Sequence, residues 1–506
     1  WMLLNNRGGI VDHIVGAGKT LVMQSAIMEM RRMGIAKKPM IIALKATVGQ
    51  IAKEFAQAYP AAKILAPTEK DFVAKNRKKL FAQIATNDYD CVIVSHDNYV
   101  KFGHTKEIES QTLREQLQQL EAAIMLMRTN DVNGHQSQLT KRQLKGLEKR
   151  KANLEARMKR IMDRPTDKEF CFENLGVDYL FVDECQRFKS LPYATTYNQV
   201  AGLGDPTGST KAVALLNGVR YLQQLHQGDR GTVFLSGTTI TNSLVEVYNL
   251  LNYLRPNMMK KLGYTTFDAW AAQFAVRSSE LEYGVTNELK EKNRFRYFQN
   301  VSELGKMYAE IADVRNDYNL KLPKPKPRTH LVTIESSDDL DIINEQIVNM
   351  VKTKDGSYFG IQGNDKTPWS LNAATLSTKA SVSPRLVDPS LPDDPHGKLA
   401  TACENVAKIY KQFDAQKGTQ LIFCDTGVPS KGKEYDAYTD IINRLVNDYG
   451  IPRKEIVDIH TANTDDKRKA LFKKVRDGQV RILIGGTVNM GTGVNVQSRL
   501  VALHHI

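Results

Sequence analysis

Short runs of consecutive apolar residues alternate along the chain with segments in which apolar residues recur every three or four positions. In the first half the apolar runs fall at 10–11, 40–44, 91–94, 179–182 and 233–236. In the second half such runs fall at 421–424 and 482–485, and strands are also predicted at 329–333, 456–459 and 500–504, where polar residues are included. Uninterrupted apolar runs are typical of strands buried on both faces of a parallel sheet, with helices covering those faces. The pattern therefore predicts an α/β chain with a parallel sheet in each half.

A different pattern occupies residues from about 105 to 165. Apolar residues follow alternating steps of four and three, as in a heptad repeat, first at Leu113, Leu117, Leu120, Ile124 and Met127, then, after a polar turn near 130–134, at Leu144, Leu147, Leu154, Met158 and Ile161. This predicts an antiparallel helical hairpin inserted into the first half. Its second helix is rich in basic residues: Lys141, Arg142, Lys145, Lys149, Arg150, Lys151, Arg157, Lys159 and Arg160. That basic face fits either an arm that contacts DNA or a partner, or an ordinary solvated surface.

The region after Pro256 separates the two halves. It has a mainly helical pattern to about Leu320, and residues 323–327 then alternate Pro with Lys, which predicts a stiff, extended connector. We therefore divide the chain into a first lobe at 1–256, a helical linker region at 257–320 and a second lobe at 321–506. The stretch 355–395, rich in Ser, Asp, Pro and Gly, is predicted to be irregular.

Composition narrows the class of protein. A chain of 506 residues exceeds what one hydrophobic core usually supports, so several domains are expected. Its 70 basic and 56 acidic side chains give a net charge of +14, which would attract a polyanion such as DNA, although a generally basic soluble protein has the same balance. The five widely spaced cysteines argue against a disulfide framework or a zinc site and predict buried thiols in a reducing compartment. No apolar run reaches the ~18 to 20 residues that span a bilayer, so we expect a cytoplasmic protein without a membrane partner.

Candidate chemistry begins with the run Gly16-Ala17-Gly18-Lys19-Thr20, which follows the first predicted strand. Glycines without a Cβ let backbone N–H groups close around phosphate oxygens at the start of a helix. Lys19 would reach the β- and γ-phosphates, and Thr20 would bind Mg²⁺. The full phosphate-loop pattern has Gly where this chain has His13, so the run alone is also compatible with a surface loop.

A pair of carboxylates follows the buried strand predicted at 179–182. Asp183 and Glu184 would lie at its carboxyl end, where ligands of open α/β sheets bind. Asp183 suits the shell of a metal ion, and Glu184 suits a base that aligns an attacking water. An Asp-Glu pair alone is more often a solvated strand end, but the two runs in order along one chain predict a site for ATP and Mg²⁺.

These runs and others resemble the motifs of a superfamily 2 helicase core, most closely of the Swi/Snf-type branch. Residues 12–20 resemble motif I, residues 41–45 resemble motif Ia, and Asp183-Glu184-Cys185-Gln186 resembles motif II. Residues 235–242 resemble motif III, residues 421–424 motif IV and residues 491–497 motif V. The combination of 236–238, 240–243 and 490–493 further resembles helicase modules of large phage or mobile-element proteins, which are often joined to a DNA methyltransferase.

The resemblance implies an α/β fold of two RecA-like parallel-sheet lobes and an ATP-dependent DNA translocase or helicase. It adds Gln186 to the catalytic residues Lys19, Asp183 and Glu184, and it adds Gly493 and Asn495 to the nucleotide-binding residues Gly16, Ala17, Gly18, Lys19 and Thr20. DNA would be held through its phosphates, without sequence preference, near Lys45, Ser95, Ser236, Thr426 and Thr492. A fused or associated methyltransferase is a further expected partner.

Some features depart from the family pattern. His13 and Ile14 stand where motif I usually has an acidic pair, and Thr239 stands where motif III commonly has Pro. We expect motif VI, whose arginines reach the γ-phosphate, to follow Ile506 and an adenine-contacting segment to precede Trp1. Without motif VI the chain is expected to bind ATP and to hydrolyse it weakly. The alternative to a motor is a DNA-docking platform in a larger assembly, non-catalytic or switched by nucleotide.

Overall fold

A computed structural model of the chain describes residues 8–129, 138–163, 170–197, 200–241, 243–284, 286, 288–316, 318, 320–322, 325–361, 367–430, 432–491 and 494–506. The described residues form two compact units. The first comprises those within Trp1–Leu281 and Glu291–Pro325, and the second those within Glu282–Lys290 and Lys326–Ile506.

The strands up to residue 325 are β1 (Gly9–His13), β2 (Pro39–Ala43), β3 (Ile64–Leu65), β4 (Cys91–Ser95), β5 (Tyr179–Asp183), β6 (Val200–Ala201), β7 (Thr232–Ser236), β8 (Ala275–Tyr283), β9 (Leu289–Phe298) and β10 (Ala312–Arg315). The helices are α1 (Lys19–Arg32), α2 (Lys45–Ala58), α3 (Ala74–Thr86), α4 (His96–Tyr99), α5 (Lys106–Thr129), α6 (Gln138–Asp163), α7 (Thr210–Leu225), α8 (Leu244–Leu254), α9 (Pro256–Lys261), α10 (Phe267–Phe274) and α11 (Val301–Ile311).

Seven of these strands form one sheet in the order β10-β1-β7-β5-β2-β4-β3, and every neighbouring pair is parallel. Successive side chains of a strand point to opposite faces. Ile42 and Val182 accordingly pack in one core, and Ile41 and Phe181 in another on the opposite face. Burial on both faces explains why the sequence shows continuous apolar runs, and the parallel sheet predicted for the first half is confirmed.

The helical hairpin predicted at about 105–165 is also confirmed, as α5 and α6. Lys106 at the start of α5 bonds to the Met162 carbonyl at the end of α6, and Arg128 near the end of α5 pairs with Glu148, so the helices are antiparallel. The heptad positions of α5 are all buried, and Leu144, Leu147 and Leu154 of α6 pack against them. The predicted turn near 130–134 lies outside the described residues.

The stretch 257–320, predicted to be mainly helical, contains α9, α10 and α11 and also strands that the apolar pattern did not indicate. β8 and β9 join the two-residue β6 in a small sheet, and β10 pairs with β1 at the edge of the large sheet. β8 and β9 were missed because most of their side chains are exposed or only half-buried, so no apolar run marks them. β10 is only four residues long and follows α11 directly.

The second unit has its own parallel sheet, with strands β11 (Thr419–Phe423), β12 (Ile456–Asp458), β13 (Ile482–Gly485) and β14 (Leu500–His505) in the order β12-β13-β11-β14. Its helices are α12 (Asp338–Thr353), α13 (Trp369–Val382), α14 (Lys398–Gln412), α15 (Ala437–Asn447), α16 (Asp465–Arg476) and α17 (Thr487–Met490). Ile482 and Ile484 pack on one face of the sheet and Leu483 on the other. The parallel sheet predicted for the second half is thus confirmed.

Two predictions for this unit are wrong. Residues 329–333 form no strand. Their side chains are exposed, so they are not packed into a sheet. The stretch 355–395, predicted to be irregular, contains helix α13, whose Ala373 and Ala380 are buried against α12 residues. Small residues let the two helices approach closely, and a composition rich in Ser and Ala concealed that contact.

Several helices begin at a side chain that accepts a hydrogen bond from their first turn: Ser209, Ser243, Thr266, Ser337, Asp436 and Thr464. Such N-caps satisfy backbone donors that otherwise lack partners. All five cysteines are free and buried, as predicted. Among the described residues, no helix combines the length and the apolar character needed to cross a bilayer.

Candidate active site

Three neighbouring strands of the large sheet end at one edge and bring the predicted catalytic runs together. β7 lies between β1 and β5, with Asp12 opposite Ser236 and Asp183 opposite Leu235. Since adjacent strands lie about 4.8 Å apart, β1 and β5 are separated by roughly 10 Å. The loop after β1, the carboxylates after β5 and the loop after β7 therefore surround a single region at the carboxyl edge of the sheet.

The loop after β1 turns through two glycines in the left-handed region, Gly16 at φ 89° and Gly18 at φ 81°. L-residues rarely adopt this backbone conformation, which explains the glycines. Gly18 is the N-cap of α1, no side chain caps that helix, and its first turn has no acidic residue. A Cβ built on Gly18 would meet nothing within 4 Å. The start of α1 is thus an open group of backbone donors at the positive end of a helix, which suits an anion.

Lys19 lies between the first and third of these loops. Its Nζ donates to the His13 carbonyl at 2.9 Å and to the Ile14 carbonyl at 3.4 Å. A Cβ on Gly237, the residue after β7, would come within 3.3 Å of that Nζ. Thr20 is half-buried beside Lys19 in the first turn of α1. The ammonium group is thereby held at the mouth of the glycine loop.

The two carboxylates after β5 occupy a site of unusual charge. Burial and, to a lesser degree, the neighbouring Glu184 carboxylate raise the pKa of Asp183 to about 6, with the Lys19 ammonium partly offsetting the rise. Glu184 itself has a φ of 51°, a left-handed conformation that is uncommon for a residue with a side chain and occurs often at functional sites. A divalent cation would relieve the repulsion between the carboxylates, so the residues fit the predicted magnesium ion.

Gln186 connects this pair to the loop after β7. Its Nε2 donates to Glu184 Oε2 at 2.5 Å, and its Oε1 accepts a hydrogen bond from Ser236 Oγ at 2.9 Å. Ser236 Oγ in turn accepts from the backbone N–H of Thr238 at 3.0 Å. The orientation of Glu184 therefore depends on both loops.

Several residues around the site were not found from the sequence. His96 Nε2 donates to the Asp183 carbonyl at 2.8 Å, and burial lowers its pKa to about 4, which keeps the ring neutral. Asp12 accepts hydrogen bonds from Thr239 Oγ1 at 2.8 Å and from the Tyr308 hydroxyl at 2.7 Å. These contacts tie the end of β1 to the loop after β7 and to α11. Asp12 lies within the run resembling motif I, but nothing in the sequence indicated Tyr308.

The residues predicted to contact nucleic acid have different environments. Lys45, at the start of α2, is half-exposed, with Glu69 at 3.5 Å, and remains a candidate. Ser95 and Ser236 do not fit this role, because they are only 4% and 0% exposed. Ser95 Oγ accepts from the Asn98 N–H as the N-cap of α4, and Ser236 is occupied by Gln186 and Thr238. A short hydroxyl side chain after a strand can cap a neighbouring helix as readily as it can bind a phosphate, and the sequence does not distinguish the two roles.

In the second unit, Thr426 follows β11 and is half-buried. Its neighbour Asp425 accepts from the N–H of Thr487 at 2.6 Å and from its hydroxyl at 2.7 Å, so it fixes the start of α17. Asn495 is exposed, and its carbonyl accepts from Arg476 at 2.7 Å. Thr492 and Gly493 lie outside the described residues. The predicted roles of these four residues stay predictions.

Comparison with known proteins defines the class. The family model described as "Probable helicase domain" matches residues 1–316, which is more than half of the chain. The chain belongs to this family, and the predicted helicase core is confirmed at that level.

Among characterised proteins, the chain is similar to the defense against restriction protein B of Escherichia phage P1, at 20% identity over 298 residues. That region is 57% of this chain and 12% of the phage protein, so the chain spans a small part of its relative. Among solved structures it is similar to a Sulfolobus solfataricus SWI2/SNF2 ATPase core in complex with dsDNA, at 10% identity and a TM-score of 0.33, covering 100% of this chain and 84% of that one. It is also similar to the Pyrococcus furiosus Hef helicase domain, at 12% identity and a TM-score of 0.34, covering 99% and 93%.

Proposed function

We propose that the chain is the ATP-hydrolysing core of a DNA translocase or helicase. One observation carries the proposal: the glycine loop with Lys19 and the carboxylates of Asp183 and Glu184 lie at the same edge of one sheet. They are close enough for the Lys19 ammonium to lower the pKa of Asp183. Membership of a helicase-domain family supports the same reaction class.

Each side chain then has a distinct task. The N–H groups of 16–20 and the Lys19 ammonium bind and orient the phosphates of ATP. Thr20 and Asp183 would hold Mg²⁺, which when bound would supply positive charge to neutralise the phosphates. Glu184 aligns the attacking water, and Gln186 positions Glu184 through its 2.5 Å hydrogen bond. Among the described residues no group of three or more His, Cys, Asp or Glu could enclose a metal. Phosphate and water oxygens would therefore complete the shell, as is usual for magnesium with a nucleotide.

DNA is the polyanion that the +14 net charge and the family favour. Contacts through phosphates fit an enzyme that moves along a strand, because they carry no sequence information. Lys45 is the described candidate in the first unit for such a contact. In the second unit, Thr426 is the described candidate for a further phosphate contact.

The test is ATP hydrolysis by the full-length protein with and without duplex DNA. Lys19→Ala removes a cation at the γ-phosphate and should lower the DNA-stimulated rate by about 10²- to 10³-fold, as for loss of one preorganised donor. Lys260→Ala, an exposed lysine on α9, is the matched control and should leave the rate unchanged. Stimulated hydrolysis that survives Lys19→Ala would refute the proposal. Nucleotide binding without any turnover would favour the docking-platform alternative.

A further inference from the structure

The positive charge of the chain is concentrated on one helix. α6 carries nine basic and three acidic side chains, a net +6 of the chain's total of +14, within 26 residues. Its partner α5 carries three basic and four acidic side chains. The hairpin is therefore strongly polarised between its two helices.

Some of the charged side chains of α6 serve the fold. Arg150 donates to the carbonyls of Tyr193 at 3.0 Å and Pro206 at 2.8 Å, which anchors the hairpin to the first unit. Lys151 pairs with Glu121 of α5 at 2.7 Å. Glu148 pairs with Arg128 at 2.7 Å. The hairpin is thus fixed in place. Glu155 also approaches Lys151, so Glu148 and Glu155, two of the three acidic side chains of α6, flank the side of α6 that packs on α5.

The other seven basic side chains are exposed and form no ion pair with any described residue: Lys141, Arg142, Lys145, Lys149, Arg157, Lys159 and Arg160. At 100° per residue they occupy the side of the helix opposite the apolar positions 144, 147, 154 and 158, with neutral residues between them and one acid, Asp163, at the end of this side. At 1.5 Å per residue this face is about 28 Å long. We call it the basic face of α6.

A helix face whose only role is exposure to solvent usually carries both signs of charge, since like charges four residues apart repel. The basic face of α6 has such pairs at 141/145 and 145/149, and the one acid within three or four residues of them, Glu148, is already paired with Arg128 of α5. A row of anions outside the chain would compensate the repulsion. Duplex DNA presents one negative charge per about 1.7 Å of its axis, so a length matching this face offers roughly 16 phosphates.

We propose that the basic face of α6 binds the phosphate backbone of duplex DNA, as a contact separate from the nucleotide site and from Lys45. The inference rests on the proposed function, because it takes DNA as the polyanion that this chain meets. The attachment through Arg150 and the apolar hairpin seam fixes the helix that carries these seven side chains.

The experiment compares two triple variants of the full-length protein. Lys141→Gln/Lys145→Gln/Lys149→Gln removes three charges from the basic face, and Lys260→Gln/Lys261→Gln/Lys306→Gln removes three exposed charges elsewhere in the first unit. Gln has nearly the helix propensity of Lys, so folding should be preserved in both. Affinity for a short duplex is measured over a salt series. Because each released counterion contributes about 0.9 to the slope of log affinity against log salt, the first variant should flatten the slope by up to about 2.7.

The control variant should keep the parental slope, and both should keep the parental rate of ATP hydrolysis without DNA. Equal slopes in the two variants would overturn the inference. If the parent binds duplex and is stimulated by it while the first variant keeps the parental slope, only the hairpin contact fails. If the parent itself does not bind duplex, the proposed function fails as well.

Discussion

At the scale of single residues, the site combines groups whose charges are held apart from water and close to one another. Asp183 and Glu184 repel each other, and Lys19 offsets only part of that repulsion. Gln186 adds a neutral hydrogen bond to Glu184 rather than a second cation. Such a site costs stability until a cation binds, which is the usual price of a preorganised metal site.

Asp183→Asn should therefore stabilise the protein at neutral pH. The folded pKa of Asp183, about 6, lies above its unfolded value of about 3.9, so the unfolded state loses its proton first and stability falls as pH rises from about 4 to 6. Asn cannot ionise and escapes this loss, worth up to about 3 kcal/mol at pH 7.5. Urea unfolding of the metal-free protein should show that gain at pH 7.5 and little difference at pH 4.

Asp88→Asn, at an exposed side chain, should change the stability by less than about 0.5 kcal/mol at either pH. A pH-independent gain for Asp183→Asn would mean that the substitution acts through packing rather than through charge. Hydrolysis of ATP should be lost in this variant even though it is more stable.

The catalytic residues could be found from the sequence because their chemistry is local. Gly16, Gly18 and Lys19 stand in one run, and each type has a reason to occupy its place. His96 and Tyr308 could not be found this way, since their partners lie 87 and 296 residues away along the chain. A buried aromatic or histidine looks the same in sequence whether it supports a core or a catalytic carboxylate. Ser95 and Ser236 are the opposite case: the sequence predicted that they contact DNA, but both side chains are buried.

At the scale of elements, predictability follows the range of the interactions. The α5–α6 hairpin was predictable because its helices pack mainly on each other, so that the heptad spacing records the contact. β10 was not, because four residues at a sheet edge are held by β1, about 300 positions earlier in the chain. Residues 329–333 have a strand-like composition but no neighbouring strand.

Arg150→Ala should loosen the hairpin without unfolding the sheet. The substitution leaves the carbonyls of Tyr193 and Pro206 without their charged donor, which costs about 1.5 to 3 kcal/mol. Hydrogen exchange should accelerate in α6 and in the contacting part of α5 and stay slow in β2 and β5. Arg157→Ala, an exposed change on the same helix, should leave exchange within the parental range. Equal acceleration in both variants would show that charge on α6, rather than the Arg150 anchor, governs its protection.

At the scale of the whole molecule, the chain is built from two units, each with its own parallel sheet and its own apolar cores. The repeated alternation of strands and helices predicted this duplication. The extent of the first unit was harder to predict from the sequence, because β10 and α11 belong to its sheet and core but lie within the stretch that was assigned to a linker. Units with separate cores unfold independently unless a large apolar interface couples them.

Arg481 offers a way to test this independence. Its side chain is fully buried in the second unit, donates to the carbonyls of Gly418, Tyr410 and Phe413, and stacks on the Tyr410 ring at 3.7 Å. Arg481→Met leaves those three carbonyls without their charged donor, a loss of about 3 to 5 kcal/mol, and it also removes the ion pair with the exposed Asp414 carboxylate. Calorimetry should show two transitions, of which only one falls, by roughly 10 °C, at about 2 to 4 °C per kcal/mol for a unit of this size. Lys411→Met, an exposed change on the same α14 helix as Tyr410, should move neither transition. One transition that shifts as a whole would mean that the two sheets unfold as a single cooperative body, and the two-unit description would then hold for the packing but not for the thermodynamics.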